Sequence, residues 1–177
     1  KINSIITMPA NGIGSAISTI VGQNIGAGQQ ERADKAYHYA LRMGALFLLF
    51  FGLILSRRFI SQAMVTFFST DERVIPLATD FLSLMAFWCW SNAFYNVTQG
   101  LFQGSGHTMI TMIVDASRIW IFRLLTLWVC ANMLNMGVES VWYAVVISNG
   151  TSAAILFALY WTGIWKKSTI KIEKTES

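Results

Sequence analysis

Four amides recur at regular intervals inside an otherwise apolar stretch of this chain: Asn92, Asn96, Gln99 and Gln103. Spacings of four, three and four place them on one stripe of a helix. Between Phe81 and Phe102 no residue is charged, and a run of roughly 20 apolar residues is what a helix needs to cross about 30 Å of hydrocarbon. Lipid offers an amide no partner, so such a stripe has to face other helices or a wet cavity. Two uses remain open: glue between helices, or the lining of a solute pathway. Trp88, Asn92, Tyr95 and Gln99 continue the same face, and the two rings would suit either a cavity for flat apolar molecules or plain core packing.

Other groups with chemical potential are sparse. Asp115 and Arg118 are three apart and can pair along one helical face, while Arg123 lies further into the same apolar run. Charge at mid-membrane is costly. We therefore expect the helix to project beyond the bilayer as far as about Arg118, and Arg123 to turn toward an interior partner. His38 has no second ligand at helical spacing, and Cys89 and Cys130 both sit inside apolar runs as small core residues, so neither a metal site nor a disulfide framework is expected. No nucleophile with a base, no in-membrane carboxylate pair and no GxxxxGK[ST] loop is present, which argues against an enzyme and against an ATP-driven pump.

The elements that must hold these residues follow from composition. Of 177 residues, 54% are hydrophobic and only 12% charged, about half the charge of an ordinary soluble domain, so the class is an all-α polytopic membrane helix bundle. About five transmembrane helices are predicted, near residues 2–25, 41–59, 77–103, 109–134 and 141–165, forming one bundle over 1–165 with a basic, polar tail at 166–177. The first is rich in small residues such as Gly12, Gly14, Ser18 and Gly22, which let helix backbones approach closely. Gln29 to Arg42 reads as an interfacial helix leading into the second span, and residues 59–73 as a short amphipathic surface segment. Trp161 and Trp165 end the last span ahead of Lys166 and Lys167.

Basic residues set the expected orientation. Arg32, Lys35, Arg42, Lys166, Lys167, Lys171 and Lys174 fall on one side, and Lys1, Arg57, Arg58 and Arg73 on the other. The positive-inside tendency makes the first side cytoplasmic. No clustered basic face with interleaved aromatics suggests nucleic acid. An apolar stretch starts at once after Lys1 without a signal-peptide layout, so the chain reads as a fragment of something longer.

Several runs carry a resemblance. PANGIGSAISTIVGQNIGAGQQERADKA from Pro9 to Ala36 resembles the segment closing the second helix of a lobe in the multidrug and toxin extrusion (MATE) family. FFSTDERVIPLATDFL from Phe67 to Leu82 is similar to that family's link into the fourth helix of the lobe, and GLFQGSGHT from Gly100 to Thr108 to the turn after it. The Arg118 to Arg123 region and GVESVWYAVVISN beyond it fit the last two helices. The resemblance covers nearly the whole chain in the right order.

It implies most of the C-terminal six-helix lobe of a twelve-helix secondary antiporter. Such a protein exports organic cations or drugs against inward Na⁺ or H⁺ by alternating access, in a cell membrane, with the bacterial inner membrane expected. The implied partners are small organic cations, the lipid bilayer and a missing N-terminal lobe of the same polypeptide; no cofactor beyond the coupling ion is implied. The expected substrate-binding residues are Trp88, Asn92, Tyr95, Asn96 and Gln99. Some members use a carboxylate in the tenth helix for coupling, whereas this chain has amides at that centre. Asp80 near the outer end, or a group in the other lobe, is left for that role. Two alternatives stand beside this reading. A lipid-linked saccharide flippase of the same superfamily calls for Arg123 in a central cleft; a non-transporting scaffold calls for a wholly packed amide stripe.

Overall fold

The computed structural model describes residues 2–68, 73–133, 137 and 139–166, with side chains from residue 7 onward. Among the described residues the chain is helical throughout, without strands: α1 (Ile2–Gly26), α2 (Gln30–Leu55), α3 (Arg58–Phe68), α4 (Val74–Trp88), α5 (Trp90–Gly104), α6 (Thr108–Ser117), a π-helical segment (Arg118–Arg123), α7 (Leu124–Asn132), α8 (Glu139–Trp161) and a 3-10 turn (Ile164–Lys166). α2 and α8 are each long and apolar enough to cross a membrane, and α4 with α5 reach that measure together. Expectations for the tail beyond Lys166, and for residues 69–72, 134–136 and 138, lie outside the described residues.

Two findings change the helix boundaries drawn from sequence. Gln29 to Arg42 and the apolar run after it form one continuous helix, because alanines and long side chains carry helical preference through the charged part without a breaker. The third span is not one helix: it breaks at Cys89, where α4 and α5 meet at 53°. No proline or glycine causes this bend. Cys89 remains in helical backbone, its N–H bonded to the Ala86 carbonyl and its thiol to the Leu48 carbonyl of α2 at 3.0 Å.

The break divides the interior into two cores. One gathers Ala10, Leu48, Val65, Leu82, Ala86, Cys89 and Ala93 around α4 and the second half of α2. The other gathers Ile17, Val21, Tyr37, Val97, Leu101, Phe102, Leu156 and Trp165 around α5. α5 is thus the central element, packed by α1, α2, α6 and α8.

Its closest neighbour is α1. Gly14, Ser18 and Gly22 on α1 recur every four residues, as do Asn96, Gly100 and Gly104 on α5. The two rows meet at backbone distance. A Cβ added at Gly14 would lie 2.8 Å from the Asn96 carbonyl oxygen, one at Gly22 3.3 Å from that of Gly104, and one at Gly104 3.1 Å from Ser18 Cα. Small residues at four-residue spacing allow this approach in a membrane, where close packing replaces the hydrophobic drive between helices.

Candidate functional site

α5 ends at Gly104, and the chain folds back through Ser105, Gly106 and His107 into α6. Gly106 takes φ +86°, a left-handed conformation that glycine adopts without steric cost. The reversal sets the register. At 1.5 Å per residue, Asp115 lies about 10 Å beyond the start of α6, and Gln99 about 8 Å before the end of α5, so they come level.

At that level four side chains meet. The Tyr95 hydroxyl donates to Asp115 Oδ1, Gln99 Nε2 donates to Asp115 Oδ2 at 2.7 Å, and Arg118 Nη2 pairs with Asp115 Oδ1 at 3.2 Å. The Arg118 guanidinium also lies over the Tyr95 ring, 4.7 Å from its centroid. The Asp115 and Arg118 side chains are 33% and 22% exposed. Partners within the bundle serve this pair, where the sequence suggested a helix end projecting beyond the bilayer. Both have interior partners, because the fold-back brings a polar face of α5 against them.

From Arg118 the cluster extends to α8. Arg118 Nη1 donates to Asn149 Oδ1 at 3.3 Å, Arg123 Nη2 donates to the same oxygen at 3.5 Å, and Arg123 Nε donates to Ser148 Oγ at 3.4 Å. The π segment makes this convergence possible. Five residues apart on an α-helix, two side chains point about 140° away from each other. The wider turn of i to i+5 bonding narrows that angle and swings the two toward one side. Both arginines therefore reach Asn149.

The expected binding residues separate into two places. Asn92, Tyr95, Asn96 and Gln99 share α5; Tyr95 is buried, and the three amides are half-buried. Asn96 turns its amide back to the Asn92 carbonyl at 2.8 Å and its backbone toward Gly14. Gln103, the last amide of the stripe, is exposed. Trp88 does not extend this face, because the break at Cys89 lies between. Its ring stacks on Trp90 at 6.1 Å and lines a groove of about 420 Å³ against α8 with Phe94, Tyr143 and Phe157. Asp80 stands on α4, pairing with Arg58 at 3.3 Å while both side chains remain at least half exposed. Arg123 turns to α8, as the sequence suggested in assigning it an interior partner.

What sequence reasoning missed is the union of Asp115 with Tyr95 and Gln99, and the part played by Asn149. The signal was present in Gly104–Ser105–Gly106, since a tight reversal at that point brings the two polar faces level. No group of three or more His, Cys, Asp or Glu side chains suited to a metal ion occurs among the described residues.

Comparison with known proteins adds the ancestry. The MatE family model matches residues 1–129. This chain belongs to the MatE family. It is 22% identical over 170 residues to a probable multidrug resistance protein NorM of Thermotoga maritima, covering 96% of this chain and 36% of that protein. To a probable NorM of Oceanobacillus iheyensis it is 26% identical over 155 residues, covering 88% and 34%. Protein DETOXIFICATION 9 of Arabidopsis thaliana is 26% identical over 163 residues, covering 91% and 33%. The chain therefore spans about a third of the length of these curated relatives, and it is a membrane protein by family and by its apolar helices.

Proposed function

We propose that this MatE chain is most of one lobe of a secondary active antiporter, which exports organic cations or drugs in exchange for Na⁺ or H⁺ by alternating access. The expected home is a cell membrane, and a second lobe of the same polypeptide would complete the cavity. Names of the relatives support the cargo class: multidrug resistance for the two bacterial proteins and detoxification for the plant one.

One observation carries the reading: the Asp115 carboxylate, held between packed helices by Tyr95, Gln99 and Arg118, on the side of α5 that bears the half-buried amides. A carboxylate in the membrane interior needs a positive partner. Arg118 supplies it at rest. An arriving cation competes with Arg118 for the same oxygens, while Tyr95 and Gln99 keep donating to them. Organic cation and coupling ion then exclude one another because they contest one charge, which lets a gradient of one drive the other. Asp80, half exposed and on α4 across the bend from the amides, is the weaker candidate for that role.

The half-buried amides and the exposed Gln103 favour a solute path over mere glue between helices. Arg123, turned toward Ser148 and Asn149, lends no support to the flippase alternative. The test is drug efflux by the full-length protein carrying Asp115→Asn or Asp80→Asn. We expect Asp115→Asn to lower gradient-driven efflux by more than roughly tenfold, the effect of one lost contact of ~1.4 kcal/mol, and Asp80→Asn to leave it unchanged. Efflux at the wild-type rate with Asp115→Asn would remove this carboxylate from the mechanism.

A further inference from the structure

The Asp115 cluster does not balance its charge. Arg118 and Arg123 both converge on Asn149 Oδ1, an oxygen that accepts hydrogen bonds but neutralises nothing. Asp115 pairs with Arg118. Among the described residues no carboxylate pairs with Arg123, whose polar contacts, at 3.4 Å to Ser148 and 3.5 Å to Asn149, are at the long end of hydrogen bonding. Arg118 has spare capacity too, for its Nε is buried without a partner. Such an orphan is costly where water is scarce.

Position sharpens the point. Arg118 lies about 15 Å along the helical run from Thr108, and its side chain is only 22% exposed. Like charges brought together in a mostly buried cluster repel, and an unpaired cation there is costly. The π segment nevertheless holds both guanidiniums on one side of its helix; an α-helical register would send them about 140° apart and relieve the repulsion. Interruptions of this kind are frequent at functional sites.

We propose that Arg118, Arg123, Ser148 and Asn149 form a binding site for the carboxylate of a small organic anion, or of a zwitterion whose cationic end goes to Asp115. A planar carboxylate matches the donor fork of a guanidinium, and accepting from the free Arg118 Nε while facing Arg123 would remove both defects at once. The proposal goes beyond cation export and rests on the reading above only in that the cluster must be reachable from water.

The test uses the full-length protein in detergent at fixed ionic strength, with two probes: benzoate, a planar aromatic carboxylate, and tetraphenylphosphonium, an apolar cation. Binding of each is followed by the ligand-dependent rise in thermal unfolding midpoint. We expect benzoate to raise the midpoint of the wild type. Arg123→Gln should weaken benzoate binding by roughly tenfold or more while sparing the tetraphenylphosphonium response, which also shows that the variant is folded. Arg123→Lys, which keeps the charge and loses the fork, should fall between. Asp115→Asn should do the reverse, losing the cation response and keeping or strengthening that to benzoate.

No benzoate response in the wild type would overturn the proposal, and would mean that a carboxylate elsewhere in the full protein already answers Arg123. A benzoate response equal in wild type and Arg123→Gln would overturn it as well. A wild type that responds to benzoate but not to tetraphenylphosphonium, with the benzoate response lost in Arg123→Gln, would support the anion site and count against the cation reading.

Discussion

Replacing Gly100 by alanine tests whether contact between α1 and α5 holds the candidate site in place. The added methyl would collide with the Gly14 carbonyl, whose carbon lies 3.1 Å from the new Cβ. The obstacle is backbone, so no side chain can swing away, and the helices must part. Overpacking of this kind costs about 1–3 kcal/mol, toward the upper end where backbone has to move. Alanine returns up to ~1 kcal/mol of helix preference, which leaves a net loss of about 2 kcal/mol. Gly150 on α8 is the control: it has nothing within 4 Å of an added Cβ, so Gly150→Ala keeps the gain of up to ~1 kcal/mol. The two variants should therefore differ by about 3 kcal/mol, read as several degrees between their unfolding midpoints in detergent. Equal midpoints would refute the close-packed crossing. A folded Gly100→Ala protein that exports at the wild-type rate would show that this crossing does not position Asn96 and Gln99.

Two further outcomes follow from particular contacts. The Tyr160 hydroxyl donates to Asp34 Oδ1 at 2.7 Å, while its ring stacks on Tyr37 and Trp165; Tyr160→Phe keeps the stacking and should cost about 1–2 kcal/mol by chemical denaturation, and an unchanged stability would mean that water replaces the bond. Cys89 and Cys130 are buried, so a membrane-impermeant maleimide should label the protein weakly until cysteine is introduced at Asn92 or Gln103. Absence of labelling there from either side of the bilayer would withdraw the amides from any aqueous path.

Much of this architecture could be read before any coordinates. Low charge and long apolar runs require a helical membrane bundle, and the amide spacing survives intact on α5 because all four residues follow the break. Gly14, Ser18 and Gly22 signalled a closely packed α1, yet their partners Gly100 and Gly104 could be named only once the two helices were seen to cross. The bend at Cys89 left no trace, since neither proline nor glycine marks it. Asp115 and Arg118 were legible as an i, i+3 pair, but whether such a pair projects or turns inward depends on what a neighbouring helix offers. The π segment was hidden for a deeper reason: its sequence, RIWIFR, is as fit for an α-helix, and a change in hydrogen-bond register has no compositional mark.

The joint at Cys89 carries a mechanical consequence. Below it, α5 is clasped to α1 along three successive turns of interlocked backbone, and spinning about its own axis would tear carbonyls out of their notches. Above it, α4 packs with α3 and the second half of α2, and α2 runs unbroken from one core into the other. The sulfur at the bend is seated against the carbonyl of Leu48 on that through-running helix, so a reagent that bulks up the thiol would have to prise α2 away from the corner it braces.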